Sequence, residues 1–352
     1  MSHRCLESVG TLAIGIFVVS LATVSVSGQT QKPPANAPPT TPSAPAAQAL
    51  VKAKETSKNK NWKVARTAWG EPDLQGVWSY ATTTPLSKPV SAGDKTFLTD
   101  EEVAELAERT ARQQDAPPRE GDPGTYNNFW WDRGQSIGRT SLIIDPPDGK
   151  YPPLTPEAQR ARAERVAYER EHPADSWLDR SPTDRCIMYH GVPPVSSGYN
   201  NTYQIFQTPG MVAILDENIH HVRLIPLDGR PHIPQTIRHW NGDSRGHWEN
   251  DTLVVETTNF NDKTRLRYGG SSNTRAVERF TRVSDDLIDY RYTITDPTVY
   301  TKPFTVAIPM PRRDDRLFEY ACHEGNHSME GILKGARADE RKAAEAAGKP
   351  SK

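Results

Sequence analysis

The run Glu319-Tyr-Ala-Cys-His-Glu-Gly-Asn326 sets an imidazole and a carboxylate directly after a cysteine. With Cys322 bridged, His323 and Glu324 would be fixed where an acid/base pair could be presented to a substrate. His323 is therefore the first candidate for a catalytic imidazole, with a hydrogen-bonded loop histidine as the plain alternative. A denser stretch, His239-Trp-Asn-Gly-Asp-Ser-Arg-Gly-His-Trp-Glu249, gathers Asp243, Arg245, His247 and Glu249 around two glycines. Such a group can bind an anion or tune an acid/base pair, and Asp243 with Arg245 can equally lock a hairpin. His220-His221 supplies two more imidazoles. Neighbours on a strand point to opposite faces, so at most one of them, His221 or His220, lines a given cavity as a base.

Two further stretches suit binding. Tyr126-Asn-Asn-Phe-Trp-Trp-Asp132 combines aromatic faces with amides and a carboxylate, and Tyr126, Asn128, Trp130, Trp131 and Asp132 are its candidate contacts to a sugar or another ring. Tyr199-Asn-Asn-Thr-Tyr-Gln204 offers neutral donors and acceptors at Asn201 and Gln204, residues that also serve turns. No phosphate-cradling glycine loop, Gly-x-Ser-x-Gly elbow, His-Glu-x-x-His or Cys-x-x-Cys occurs. The expectation is chemistry without a cofactor and without a locally spaced metal site. Local spacing leaves open a metal held from distant strands.

The charges exclude whole classes of partner. Lys plus Arg total 43 and Asp plus Glu total 44, so no basic field exists to hold nucleic acid or an anionic membrane. The N-terminus reads as an export signal over 1–28: Arg4, an apolar run from Thr11 to Val26, then Ser27-Gly28. That run is shorter and more diluted than a spanning helix, so no stable membrane insertion is expected after cleavage. Residues 29–60, rich in Pro, Ala, Thr, Lys and Gln, form a linker too poor in large apolar groups to offset the entropy of ordering. One globular domain, 61–337, follows, and 338–352 reads as a loose tail or frayed helix. After signal removal only Cys186 and Cys322 remain. In an oxidising periplasmic or extracellular setting they make a disulfide, with a reactive or metal-binding Cys322 as the alternative.

The elements that must position these groups are mostly strands. Thirty prolines and 23 glycines favour turn-rich β structure over a helical bundle. Ile288 to Ile294, Phe304 to Met310, and Phe318 to Cys322 each alternate apolar and polar residues, which predicts a three-strand meander. Met211-Val-Ala-Ile-Leu215, apolar throughout, predicts a strand buried on both faces. Two peripheral helices are expected. One starts at the capping box Thr99-Asp-Glu-Glu102, and the other at Thr155-Pro156-Glu157, whose face is charged nearly throughout.

Two resemblances follow from these motifs. Gly76-Val-Trp78 at the start of a first strand resembles the lipocalin-like barrels, where the indole closes one end. With the meander, it implies a closed or nearly closed antiparallel barrel. Gly242-Asp-Ser-Arg-Gly-His-Trp-Glu249 with Thr252-Leu-Val-Val-Glu-Thr-Thr-Asn-Phe260, and Tyr320-Ala-Cys-His-Glu-Gly-Asn326, resemble a large family of uncharacterised secreted bacterial proteins. That resemblance runs from Leu74 to Arg337; it implies export and a single domain and brings no activity. Two functions are expected. The first is a secreted or periplasmic lyase, isomerase or hydrolase that works on a small ring-bearing or sugar-like molecule through His323, Glu324, Asp243 and Arg245. The second is a lipocalin-like protein that binds such a molecule unchanged.

Overall fold

Backbone N–H and C=O groups buried in a core must be paired, and an antiparallel sheet curled onto itself satisfies nearly all of them. The computed structural model adopts that solution and describes residues 62–114 and 131–348. The signal segment, the 29–60 linker, Tyr126, Asn128 and Trp130 lie outside the described residues. The strands are β1 (Gly76–Ser79), β2 (Ile143–Asp145), β3 (Thr202–Thr208), β4 (Met211–Asp216) and β5 (Val222–Pro226), followed by β6 (Asp243–Glu249), β7 (Thr252–Thr258), β8 (Arg275–Ser284), β9 (Leu287–Thr295) and β10 (Phe304–Arg313). Their order around the sheet is β5-β4-β3-β1-β10-β9-β8-β7-β6, with β2 added beside β10. Every ladder is antiparallel. Two meanders, β3 to β5 and β6 to β10, are thus joined through the short β1.

The nine strands form a nearly closed barrel with one unsealed seam, because β5 and β6 lie side by side without a hydrogen-bond ladder. Close approach there depends on Gly246 of β6. A Cβ at that position would stand 2.8 Å from Ile225 and 2.7 Å from Leu227. Side-chain packing replaces backbone pairing at this one joint.

Strand alternation turns one face of each strand inward, and the inward residues fill the barrel. Trp78, Tyr80, Tyr203, Tyr290, Tyr292, Phe280 and Phe304 are all fully buried. Trp78, the tryptophan of the Gly-x-Trp reading, is part of this filling. Its indole N–H donates to the Leu74 carbonyl at 2.9 Å, and the guanidinium groups of Arg282 and Arg312 sit 5.7 and 5.8 Å from the ring. Gly76 is required two residues earlier because its φ of 135° is one L-residues rarely adopt.

Among the described residues three helices decorate the barrel: α1 (Asp100–Gln114), α2 (Pro156–Glu171) and α3 (His327–Ala346). The capping box of α1 forms as read, with Glu102 N–H on Thr99 Oγ1 at 3.2 Å and Thr99 N–H on Glu102 Oε2 at 2.9 Å. Helix α2 is capped by Thr155 and buries none of its residues. The third helix starts earlier than the loose tail or frayed helix read at the C-terminal end. The Ala/Lys/Glu-rich end is ordered helix through Ala346, because its residues are strong helix formers and Arg337 clamps the Ala174 and Asp175 carbonyls at 3.0 and 2.9 Å.

Two strand expectations are corrected. Phe318 to Cys322 is not a strand, since the edge of β10 that it would pair with is already taken by β1 (Val77 opposite Arg313, Trp78 opposite Arg312). Phe318 is left 77% exposed. Met211 to Leu215 is buried on one face only, through Val212 and Ile214, so its outer residues are apolar without being enclosed. Cys186 and Cys322 form a disulfide. Among the described residues, no helix is long and apolar enough to cross a membrane.

Candidate functional site

The chain between β4 and β5 decides where polar groups reach the surface. Ile219 and His220 take left-handed φ values of 58° and 48° in a single tight turn, Asn218–His220. Adjacent imidazoles consequently diverge. His220 lines an outer groove of about 790 Å³, and His221 lines a cleft of about 330 Å³ at the seam. One histidine per cavity was the expectation, although a turn and not a strand separates them.

The groove floor is a row across four strands given by the register: Arg313 on β10, Val77 on β1, Gln204 on β3 and Leu215 on β4. The segment 314–319, leaving β10, completes the walls. Glu217 stands at one end. Burial raises its pKa, against hydrogen bonds from the Thr202 side chain and the Phe318 N–H and the attraction of Arg313. Behind it, Asp216 is buried and accepts from the Tyr80 hydroxyl at 3.0 Å and the Asn218 N–H at 3.2 Å. Burial outweighs both and pushes Asp216 up to about 7. Arg313 is held by Asp132 at 2.6 Å and Asp315 at 2.7 Å. Arg312 lies over Trp78 and has no carboxylate partner among the described residues, so it offers the groove a cation free to meet an anion.

Of the residues singled out from sequence, Gln204 lines this groove and Asp132 braces its arginine. Asn201 is a buried anchor. Its amide donates to Asp132 O at 3.1 Å and Ser197 O at 3.0 Å and accepts from Ser197 N–H at 2.7 Å. Trp131 packs on Gly198 beneath the Arg133 guanidinium, 3.8 Å from its ring. His323 and Glu324 lie on an exposed turn just past the disulfide and line neither cavity.

The seam cleft brings together His221 and Asp243. Burial holds His221 down to about 4, so it is neutral near pH 7. Asp243 bridges Arg245 at 2.8 Å and His232 Nδ1 at 2.7 Å. Arg245 also donates to the Pro231 carbonyl at 3.1 Å. Together these bonds lock the loop between β5 and β6 onto β6, the hairpin-lock alternative for Asp243 and Arg245.

The lumen carries a polar band that sequence reading did not locate. Arg223 on β5 makes two bonds to Glu278 on β8, at 3.1 and 2.6 Å, and Glu278 also accepts from the Tyr290 hydroxyl at 2.8 Å. Burial alone would lower the Arg223 pKa, but the Glu278 carboxylate outweighs it and keeps the guanidinium charged. The signal was present in the sequence, since Val222-Arg-Leu-Ile places one arginine inside an aliphatic strand. Glu217 and Arg312 had weaker signals, because neither belongs to a motif and only the folded chain brings them to one groove.

Among the described residues no His, Cys, Asp and Glu group is arranged to hold a metal ion. No protein-family model, curated protein or solved structure matches the chain.

Proposed function

We propose that this is a periplasmic or secreted enzyme that performs acid/base chemistry, as a lyase, isomerase or hydrolase, on a small ring-bearing molecule held in the outer groove. Export rests on the signal-like 1–28 segment, on the resemblance to secreted bacterial proteins and on a disulfide suited to an oxidising compartment. The observation that carries the assignment is the placing of Glu217 and Arg312 in one groove. A half-buried carboxylate able to take or give a proton shares the groove lining with a cation that has no carboxylate partner among the described residues. In this role Glu217 transfers the proton, Arg312 binds an anionic group and Phe318 covers the ring. His220 stands at the same rim as a second titratable group. These residues replace His323, Glu324, Asp243 and Arg245 in the acid/base role.

The test is a panel of aromatic and sugar carboxylates screened for thermal stabilisation of the mature protein, each hit then followed by proton NMR for chemical change. Glu217→Gln should keep binding while turnover falls by about 100-fold or more, and Arg312→Ala should weaken binding. Turnover unchanged in Glu217→Gln would remove the assignment. Hits recovered chemically unaltered from the parent would favour the lipocalin-like binding role instead.

A further inference from the structure

We propose that the seam cleft between β5 and β6 is a second small-molecule site, independent of the groove, that takes a neutral ring bearing one hydrogen-bond acceptor, such as a lactone or cyclic ketone.

The barrel wall is incomplete only where β5 meets β6. At the end of that seam away from Gly246, the wall parts into a cleft of about 330 Å³, enough for a bicyclic ring. Its sides are His221, just before β5, and His239, Trp240 and Asn241, just before β6, and Arg223 reaches it from the lumen. Trp240, partly buried against the core, gives a flat apolar surface for a ring.

Arg223 decides which ligand fits. The residue is 6% exposed, and its two terminal nitrogens are committed: to Glu278, to Ser244 Oγ at 3.3 Å and to Thr257 Oγ1 at 3.5 Å. Its Nε–H, also buried, has no hydrogen-bond partner among the described residues. A buried donor left unpaired is costly, and a carbonyl oxygen entering the cleft would satisfy it. The charge there is already balanced, because Glu278 neutralises the guanidinium and His221 is uncharged near pH 7. An anion would therefore gain little and would lose its hydration, whereas a neutral acceptor gains the bond without that loss. Asp243 in the same wall is already paired with Arg245 and His232, so the pairing leaves Arg245 little charge to offer an anion.

The probe is coumarin, a neutral bicyclic lactone, titrated into protein labelled with nitrogen-15. Indene serves as the comparable ring without an acceptor, and benzoate as the anionic ring. Coumarin is expected to shift the Arg223 Nε–H and Trp240 indole signals together, with indene and benzoate binding at least roughly tenfold more weakly. Arg223→Lys keeps a cation for Glu278 but has no Nε–H, and should weaken coumarin by a similar factor with the circular dichroism spectrum retained. If that variant does not fold, the comparison of coumarin with indene on the parent decides. Equal binding of coumarin and indene, or an Arg223 Nε–H signal unmoved up to the solubility limit of coumarin, overturns the proposal. Glu217→Gln should leave the coumarin titration unchanged, and its loss there would move the ring to the groove and overturn the second site.

Discussion

Single residues in this barrel are set apart by which face they occupy more than by their type. Glu278 and Arg279 are neighbours on β8, yet Glu278 is fully buried beside Arg223 while Arg279 pairs with Glu249 at 2.7 Å on the outside. Alternation made the difference in face legible, but it could not tell which face was the lumen, because both strand faces carry charge. Asp216 gives a direct way to read the cost of such burial. Its carboxyl keeps the proton up to about pH 7 in the folded chain, while an unfolded aspartate ionises near about 3.9. Between those values the native state binds more protons than the unfolded one, so each rise in pH removes stability. His190 and His221 act with the opposite sign. Burial holds them to about 3 and about 4, and stability is lost as pH falls below the ordinary histidine value. Those two terms are common to parent and variant and cancel in a comparison. Asp216→Asn is therefore expected to gain stability relative to the parent as pH goes from 5 to 8, read as urea midpoints. A difference that stays constant across that range would mean the carboxyl ionises without penalty.

At the scale of elements, the sequence was most informative where a segment owns its partner and least where a partner comes from far along the chain. The α1 capping box and the period-2 runs of β9 and β10 needed only local chemistry, and they form as read. The run from Phe318 to Cys322 has the same alternation, but no free sheet edge awaits it. What holds that segment is a bond to Cys186, 136 residues earlier, together with the Asn326 amide on the Asp184 carbonyl at 3.0 Å. The disulfide closes a loop long enough that chain entropy alone assigns it about 5 kcal/mol at most. Its loss should be felt first in the segment it anchors, since α3 buries none of its residues and contributes little apolar packing. The double variant Cys186→Ala, Cys322→Ala should have a lower urea midpoint, and trypsin should cut it after Arg316 well before any site in β7 to β10. Cleavage of the groove segment and the barrel at one common rate would mean that the bridge secures the whole domain as a single unit.

The whole molecule is a barrel that stops one ladder short of closure, and that defect organises the cleft beside Arg223. A sealed β5–β6 ladder would enclose Arg223 and Glu278 without access, whereas the present joint is held by Ile225 and Leu227 over Gly246 at one end and parts at the other. Neither feature was legible from the chain, because a barrel seam is a relation between strands that share no motif, and Gly246 reads only as part of a turn-like run. The same geometry makes the seam the weakest line in the structure, since edges without a ladder open more readily than β8 and β9, paired along nearly their full length. Gly246→Val tests this. The added side chain has no room against Ile225 and Leu227, so the strands must separate, at a cost of about 1–3 kcal/mol typical of overpacking. Because the ladders from β6 to β10 do not depend on the seam, the barrel should remain folded. Hydrogen exchange is expected to accelerate in β4 to β7 and to stay slow in β8, β9 and β10. Coumarin binding at the cleft should weaken in the same variant as Arg223 and Trp240 move apart. Faster exchange spread evenly over all the strands would mean instead that the seam and the ladders share one cooperative unit, and that the barrel opens only by unfolding as a whole.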